Sequence, residues 1–318
     1  RVQLEESCKG KYCITKGNYK EKKAEKLIQE LNIRLAGFGG NVPSEEFTDR
    51  TEMMIRQFER DYMKVPETGK ICGNLLRAVD EFCSNPSYNF DFNQTKCSCT
   101  TGKYKNKKDN PLCNGYGNGR ENEFPGMHRS LLFSLKALLF YLSKDNSEFS
   151  LLSIFSGYRC WSDNNDASRH DNGKTRKSTN HMGCALDLHF KKNGIRTSSV
   201  KDMERIRKDF FNKYMNAPYE ILGEEVFFGW KKDHIGLEPK KFKSGQQGAT
   251  SWVHYDVRDF SSKYKNDKFF IKNISELIPT TMINLAQELG LSTTCSCKKT
   301  IAPTLKLESN CQKCTILD

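Results

Sequence analysis

Two short stretches of this chain carry the residue types that metal-assisted chemistry needs. In Thr179-Asn180-His181-Met182-Gly183-Cys184-Ala185-Leu186-Asp187 a histidine and a carboxylate flank small residues, and Trp252-Val253-His254-Tyr255-Asp256-Val257-Arg258 adds a second histidine. Two neutral imidazoles and one anionic oxygen make the donor set of a three-ligand catalytic zinc site, with a fourth position open for water. The chain has only six histidines, so two in such apolar settings are informative. Either histidine alone would read as an ordinary core or loop residue; both, with Asp187, point to a metal.

The elements that must hold these groups are short strands. If residues 185–189 are extended, alternation sends Ala185, Asp187 and His189 to one face and Leu186 and Leu188 to the other. His254 and Asp256 are likewise two apart, with Val253, Tyr255 and Val257 opposite them. One strand can then present a metal ligand and a carboxylate together. His189 reads as a structural neighbour of the site, and His170 and His234, both in charged loops, as solvent-exposed.

The motif His181-x-Gly183-x-Ala185-x-Asp187, followed by Trp252-Val253-His254-x-Asp256-Val257-Arg258, resembles the zinc metallopeptidases that cut peptidoglycan stem peptides. That superfamily includes D-alanyl-D-alanine carboxypeptidases, L-alanyl-D-glutamate endopeptidases and the related Hedgehog signalling-domain fold. Phe155-Ser156-Gly157-Tyr158-Arg159 resembles its opening strand, which ends in an arginine facing the active site. The likeness spans residues 120–290, with the three motifs in order. Many members place two residues between the histidine and the glycine; here Met182 alone stands between them, which suits a variant subfamily.

The resemblance implies that His181, Asp187 and His254 are zinc ligands and that the reaction is amide hydrolysis, in which zinc activates a water and polarises the carbonyl. A carboxylate must then carry the proton to the leaving amine. Many relatives have Glu or Asp three residues before the last histidine, where this chain has Ser251. Asp256 and Glu238 are the candidates for the base; the reading leans to Glu238, because Asp256 could equally orient a ligand histidine. Arg159 is expected to stabilise an oxyanion or grip a substrate carboxylate. Cys184, inside the motif, could pair with Cys160 and tie the two site-bearing strands together. The alternative function is a non-catalytic, zinc-containing cell-wall or ligand-binding protein on the same scaffold.

At 318 residues the chain can bury a sizeable core in about two domains. No run of about eighteen apolar residues occurs, so no membrane span is expected. The apolar stretch 131–142 contains Ser134 and Lys136 and reads as an amphipathic or buried helix. Thirteen cysteines favour disulfides and an oxidising compartment, secreted or periplasmic. The spacing Cys295-x-Cys297 with Cys311-x-x-Cys314 also admits a zinc ribbon, though disulfides are preferred. The chain opens at Arg1 without methionine, as if a leader had been removed. The net charge of +12 suits an acidic partner. The lysines are scattered and form no nucleic-acid motif, and an anionic cell wall fits the charge as well; the resemblance implies peptidoglycan as the partner.

Helical periodicity at Leu27, Ile28, Leu31 and Leu35 stops at Gly37-Phe38-Gly39-Gly40; a second helix over 49–62 is capped by Asp49 or Thr51, and a third covers 74–79. Within this region Ile55-Arg56-Gln57-Phe58-Glu59-Arg60-Asp61, followed by Val65-Pro66-Glu67-Thr68-Gly69-Lys70, resembles the three-helix peptidoglycan-binding domain found beside many wall hydrolases. The expected fold is α+β: a small antiparallel sheet with flanking helices carrying the zinc site, preceded by a small three-helix domain. Its divisions are a Cys-containing segment 1–19, the helical domain 20–85, a Cys-bearing linker 86–120, the peptidase domain 121–290 and a Cys-rich tail 291–318.

Overall fold

The computed structural model describes residues 13–101, 124, 126–144, 147–164, 178–218, 220–222, 225–227 and 234–293. The expectations for Cys8, Cys113, His170 and the tail cysteines Cys295, Cys297, Cys311 and Cys314 lie outside the described residues. The fold is α+β, and the chain divides into two compact units. One contains the described residues before 87 and after 277; the other is residues 87–277.

The first unit is helical. Helix α1, Glu25–Arg34, buries Leu27, Ile28 and Leu31, and Gly39 and Gly40 take positive φ values of 98° and 65° where the chain turns away. Helix α2, Asp49–Phe58, is capped by neither Asp49 nor Thr51 alone. Thr48 is the N-cap, and its hydroxyl and that of Thr51 form a reciprocal capping box. Helix α3, Gly73–Ser84, outruns its expected end because Phe82 and Cys83 also face the core. Phe38, Phe58 and Phe82 meet edge to face, with centroids 5.0, 5.2 and 5.9 Å apart, a favoured arrangement for aromatic rings. Arg34 is wholly buried; it donates to Glu30 at 2.7 Å, Asp80 at 3.1 Å and the Thr280 carbonyl. Asp80 in turn accepts from Met282 N at 2.6 Å and Ile283 N at 3.2 Å. These are the first amides of the C-terminal helix Met282–Glu288, where a carboxylate is favoured. That helix therefore belongs to the helical unit, although sequence reading carried the peptidase domain on to 290.

The second unit opens with turns over 87–101. These residues, expected in the linker, pack instead on the sheet: Gln94 accepts from Ile154 N at 2.8 Å, Thr95 from Tyr158 N at 2.7 Å, and Thr95 and Cys97 have no exposed surface. Then follow strand β1, Met127–His128, helix α4, Arg129–Lys144, and strands β2, Phe149–Ser156, β3, Ala185–Lys192, and β4, Ile195–Thr197. Helix α5, Val200–Ile206, leads to the hairpin of β5, Glu220–Leu222, and β6, Glu225–Phe227. The strands β7, Gly236–Leu237, β8, Val253–Asp256, and β9, Phe270–Ile271, complete the unit. The main sheet is antiparallel in the order β2-β3-β8-β7, with β4 on β3, while β1 pairs with β9.

Helix α4 is buried almost all round, which is why its sequence is apolar on every face. Two of its polar members are satisfied: Ser134 donates to Ser130 O at 2.7 Å and Lys136 to Asn89 Oδ1 at 2.9 Å. Tyr255 of β8 donates to Leu131 O at 3.0 Å, fixing helix to sheet. At the start of α4 the fully buried His128 donates from Nε2 to Tyr264 O at 2.9 Å and accepts on Nδ1 from Ser130 N at 3.2 Å.

Burial depresses the His128 pKa to about 4, so the native state keeps it neutral while an unfolded chain protonates it near 6.5. Stability should therefore hold above pH 6.5 and fall between pH 6.5 and 4, by on the order of 3 kcal/mol from this residue. Urea midpoints measured across that range should drop less steeply in His128→Gln than in the unaltered protein.

Candidate functional site

The antiparallel register between β3 and β8 sets Asp187 directly opposite His254, and the register between β2 and β3 sets Ser156 opposite Asp187. Asp187, His254 and Asp256 are all buried, as is His181 at 0% exposure. Three residues beyond Ser156, Arg159 turns back over the sheet: Nε donates to Ser156 Oγ at 3.0 Å and Nη2 to Asp187 Oδ2 at 2.7 Å.

The loop before β3 is stitched to this segment. Asn180 O accepts from Arg159 N at 3.1 Å, Asn180 Nδ2 donates to Gly157 O at 3.0 Å and lies 3.4 Å from Asp187 Oδ2, and His181 Nδ1 donates to Arg159 O at 2.9 Å. With its Nδ1 proton on a carbonyl, His181 carries its lone pair on Nε2. Gly183 then sends the chain into β3 at φ 66°, so close to Gly126 O that a Cβ would sit 1.8 Å from it. Only glycine passes that point without moving backbone.

His254 is held from both sides. Nδ1 donates to Asp187 Oδ1 at 2.5 Å, and Nε2 lies 3.3 Å from both Asp256 Oδ2 and Thr179 Oγ1. Burial opposes a charge on His254, but Asp187 first and Asp256 second outweigh it and push its pKa up to about 10. Burial likewise opposes the charge of Asp187, and His254 and Arg159 outweigh it, holding the carboxyl below the usual carboxylate range. Glu238 follows β7; its Oε2 is 3.8 Å from His254 Nδ1, on the Asp187 side, and its side chain is 22% exposed. Burial, reinforced by nearby Asp187, raises the Glu238 pKa. Asp256, by contrast, stands behind the ring, accepts from Arg258 N at 2.8 Å and is fully enclosed.

Of the six residues singled out in sequence, Arg159, Asp187, His254 and Asp256 form one chain of contacts with Glu238 beside it, and His181 is tied to it through the Arg159 carbonyl. Asn180, Thr179 and Ser156, which orient them, were not anticipated, since no spacing marks a hydrogen-bonding neighbour. His189 packs on Phe155 with centroids 4.3 Å apart. His234, expected in solvent, is only 4% exposed and bonds Asn216 O through Nδ1 at 3.3 Å. The supposed Cys160–Cys184 bond is not formed. Cys184 is a buried thiol directed at Met182 O, with burial raising its pKa, and Cys160 turns the other way, towards Cys97 and Cys99.

The donor chemistry of His181, Asp187 and His254 suits a zinc-like divalent ion. Each residue has one polar atom fixed by a neighbour: His181 Nδ1 by a carbonyl, Asp187 Oδ2 by a guanidinium, His254 Nε2 by a carboxylate. Outer partners of this kind orient metal ligands. The three ligand atoms are not drawn within 4.8 Å of one another; among the described residues Cys97, Cys99 and Cys160 are. That buried cysteine cluster could hold a metal ion. No helix among the described residues is long and apolar enough to cross a membrane.

Comparison of the chain with protein-family models, with curated proteins and with solved structures found no match.

Gly183→Ala should cost about 2–4 kcal/mol, from left-handed backbone strain together with the clash against Gly126 O. Thermal unfolding should show the loss, and the same substitution at Gly194, which meets nothing within 4 Å, should cost markedly less.

Proposed function

We propose that this protein is a zinc-dependent peptidase that hydrolyses amide bonds in peptidoglycan stem peptides or cross-links, acting as a secreted or periplasmic wall hydrolase. The observation that carries the reading is that Asp187 and His254 face each other across β3 and β8, with Glu238 3.8 Å from His254 Nδ1 and His181 tied through the Arg159 carbonyl to the arginine that holds Asp187. His181 Nε2, Asp187 Oδ1 and His254 Nδ1 would hold the ion, in place of the proton that now joins Asp187 to His254. When bound, zinc lowers the pKa of its water to about 7 and polarises the scissile carbonyl.

The chain's own groups supply the rest. Glu238 is our general base: it faces the ligand side of His254, reaches solvent, and has a pKa raised by burial, so it can take a proton from water and return it to the leaving amine. Asp256 is a positioning residue, because it is enclosed behind His254 and touches the nitrogen turned away from Asp187. The two carboxylates divide the work by environment, an exposed edge against a closed interior. Arg159 fixes Asp187 and, with 18% of its side chain exposed, lies where a substrate carboxylate or oxyanion could approach its guanidinium fork. The net charge of +12 favours approach to an anionic wall polymer.

Mass spectrometry of peptidoglycan fragments incubated with the protein tests the reading. Cleavage should stop with a chelator and in His181→Ala, and should fall by about 10²–10⁴-fold in Glu238→Gln with zinc still bound. Asp256→Asn should instead weaken zinc binding by about 10–100-fold, as loss of a ligand-orienting partner does. Zinc retained without any cleavage would favour a binding protein on the same scaffold.

A further inference from the structure

We propose that Cys97, Cys99 and Cys160 form a second metal site, a structural zinc–thiolate centre separate from the His181–Asp187–His254 site. Their sulfurs all lie within 4.8 Å of one another, and Cys99 Sγ and Cys160 Sγ are 3.5 Å apart. Zinc–sulfur bonds of about 2.3 Å in a tetrahedron put neighbouring sulfurs about 3.8 Å apart, whereas a disulfide brings them to about 2.05 Å. The 3.5 Å between Cys99 and Cys160 is far from a disulfide and within a few tenths of an ångström of the tetrahedral edge.

The backbone around the cluster suits thiolates. Cys160 N donates to Cys97 Sγ at 3.3 Å and Asp163 N to Cys160 Sγ at 3.4 Å, so amide dipoles point at two of the three sulfurs. Cys97 and Cys160 are fully buried and Cys99 is partly exposed, which gives an ion a route in. Soft sulfur ligands in this number select zinc among the ions commonly available.

The cluster has a mechanical consequence. Cys97 follows the Gln94-Thr95 segment that packs against β2, Cys99 lies in the short helix Ser98–Thr101 that comes next, and Cys160 immediately follows Arg159. Ser98 Oγ also donates to Asp163 Oδ2 at 2.9 Å, joining the same two segments. An ion here would clamp the 97–99 segment to the chain that delivers Arg159 to Asp187. Its role is to hold the site's arginine in place, not to take part in hydrolysis.

The test is cobalt substitution of the full chain. Sulfur-to-cobalt charge-transfer absorption should appear, disappear in Cys99→Ser and persist in His181→Ala; absorption that survives in Cys99→Ser overturns the proposal. If Cys99→Ser does not fold, alkylation of the unaltered protein decides. The partly exposed Cys99 should react faster after chelation, and an unchanged rate overturns the proposal. Peptide mapping of the unreduced, metal-loaded protein should find all three cysteines as thiols; a disulfide at any of them overturns it as well. Because His181→Ala removes only the histidine site, loss of wall cleavage with the absorption retained separates this proposal from the peptidase reading.

Discussion

A single buried carboxylate organises the second unit. Asp187 is 3% exposed, and an ionised group at that depth persists only if other groups replace its water. Arg159, His254 and Asn180 do so, and they come from three different places: the chain beyond β2, the neighbouring strand β8 and the loop before β3. Removing Arg159 or His254 would take away one of the two cationic groups that offset its burial. The arrangement therefore constrains sheet register, loop path and arginine position at once.

The surrounding structure can be understood as the means of meeting that constraint. A one-residue slip between β3 and β8 would turn His254 to the opposite face and bring Tyr255 against Asp187, so the register admits no alternative. Gly183 lets the His181 loop run against the Gly126 backbone, and the bond from His128 N to Gly183 O fastens that loop to the start of α4. The first unit repeats the logic with another chemistry. Arg34, wholly buried, is neutralised by Glu30 and Asp80, and Asp80 also accepts from the amides that begin the helix Met282–Glu288. In both units a buried ion pair joins segments remote in sequence.

Environment also separates carboxylates that composition would treat alike. Asp256 is closed in and paired with His254 and Arg258; Glu238 stands at the edge with its pKa raised. Asp256 is nearer to His254 both along the chain and in space, at 3.3 Å against 3.8 Å; what distinguishes Glu238 is that it reaches solvent and sits on the Nδ1 side of the ring. The strand pairing that brings Gly236 opposite Asp256 carries Glu238 to the site.

The sequence by itself determined the α+β class, the presence of helices near 27–35, 49–62 and 74–79, the strand at Asp187 and the one at His254. Those features rest on local periodicity and on residue types that favour one backbone, and neighbours within a few positions suffice to specify them. It also marked six candidate residues, because histidines and acids between apolar residues are conspicuous in so polar a chain. Only the tertiary structure decided which atoms face which: that Arg159 grips Asp187, that His254 is held between two carboxylates, that Cys160 turns to Cys97 and Cys99 and not to Cys184, and that residues 87–101 pack on the sheet. Each of these depends on contacts between segments roughly 30 to 75 positions apart, and such contacts arise from burial and hydrogen-bond satisfaction across the whole unit, for which no local pattern stands proxy.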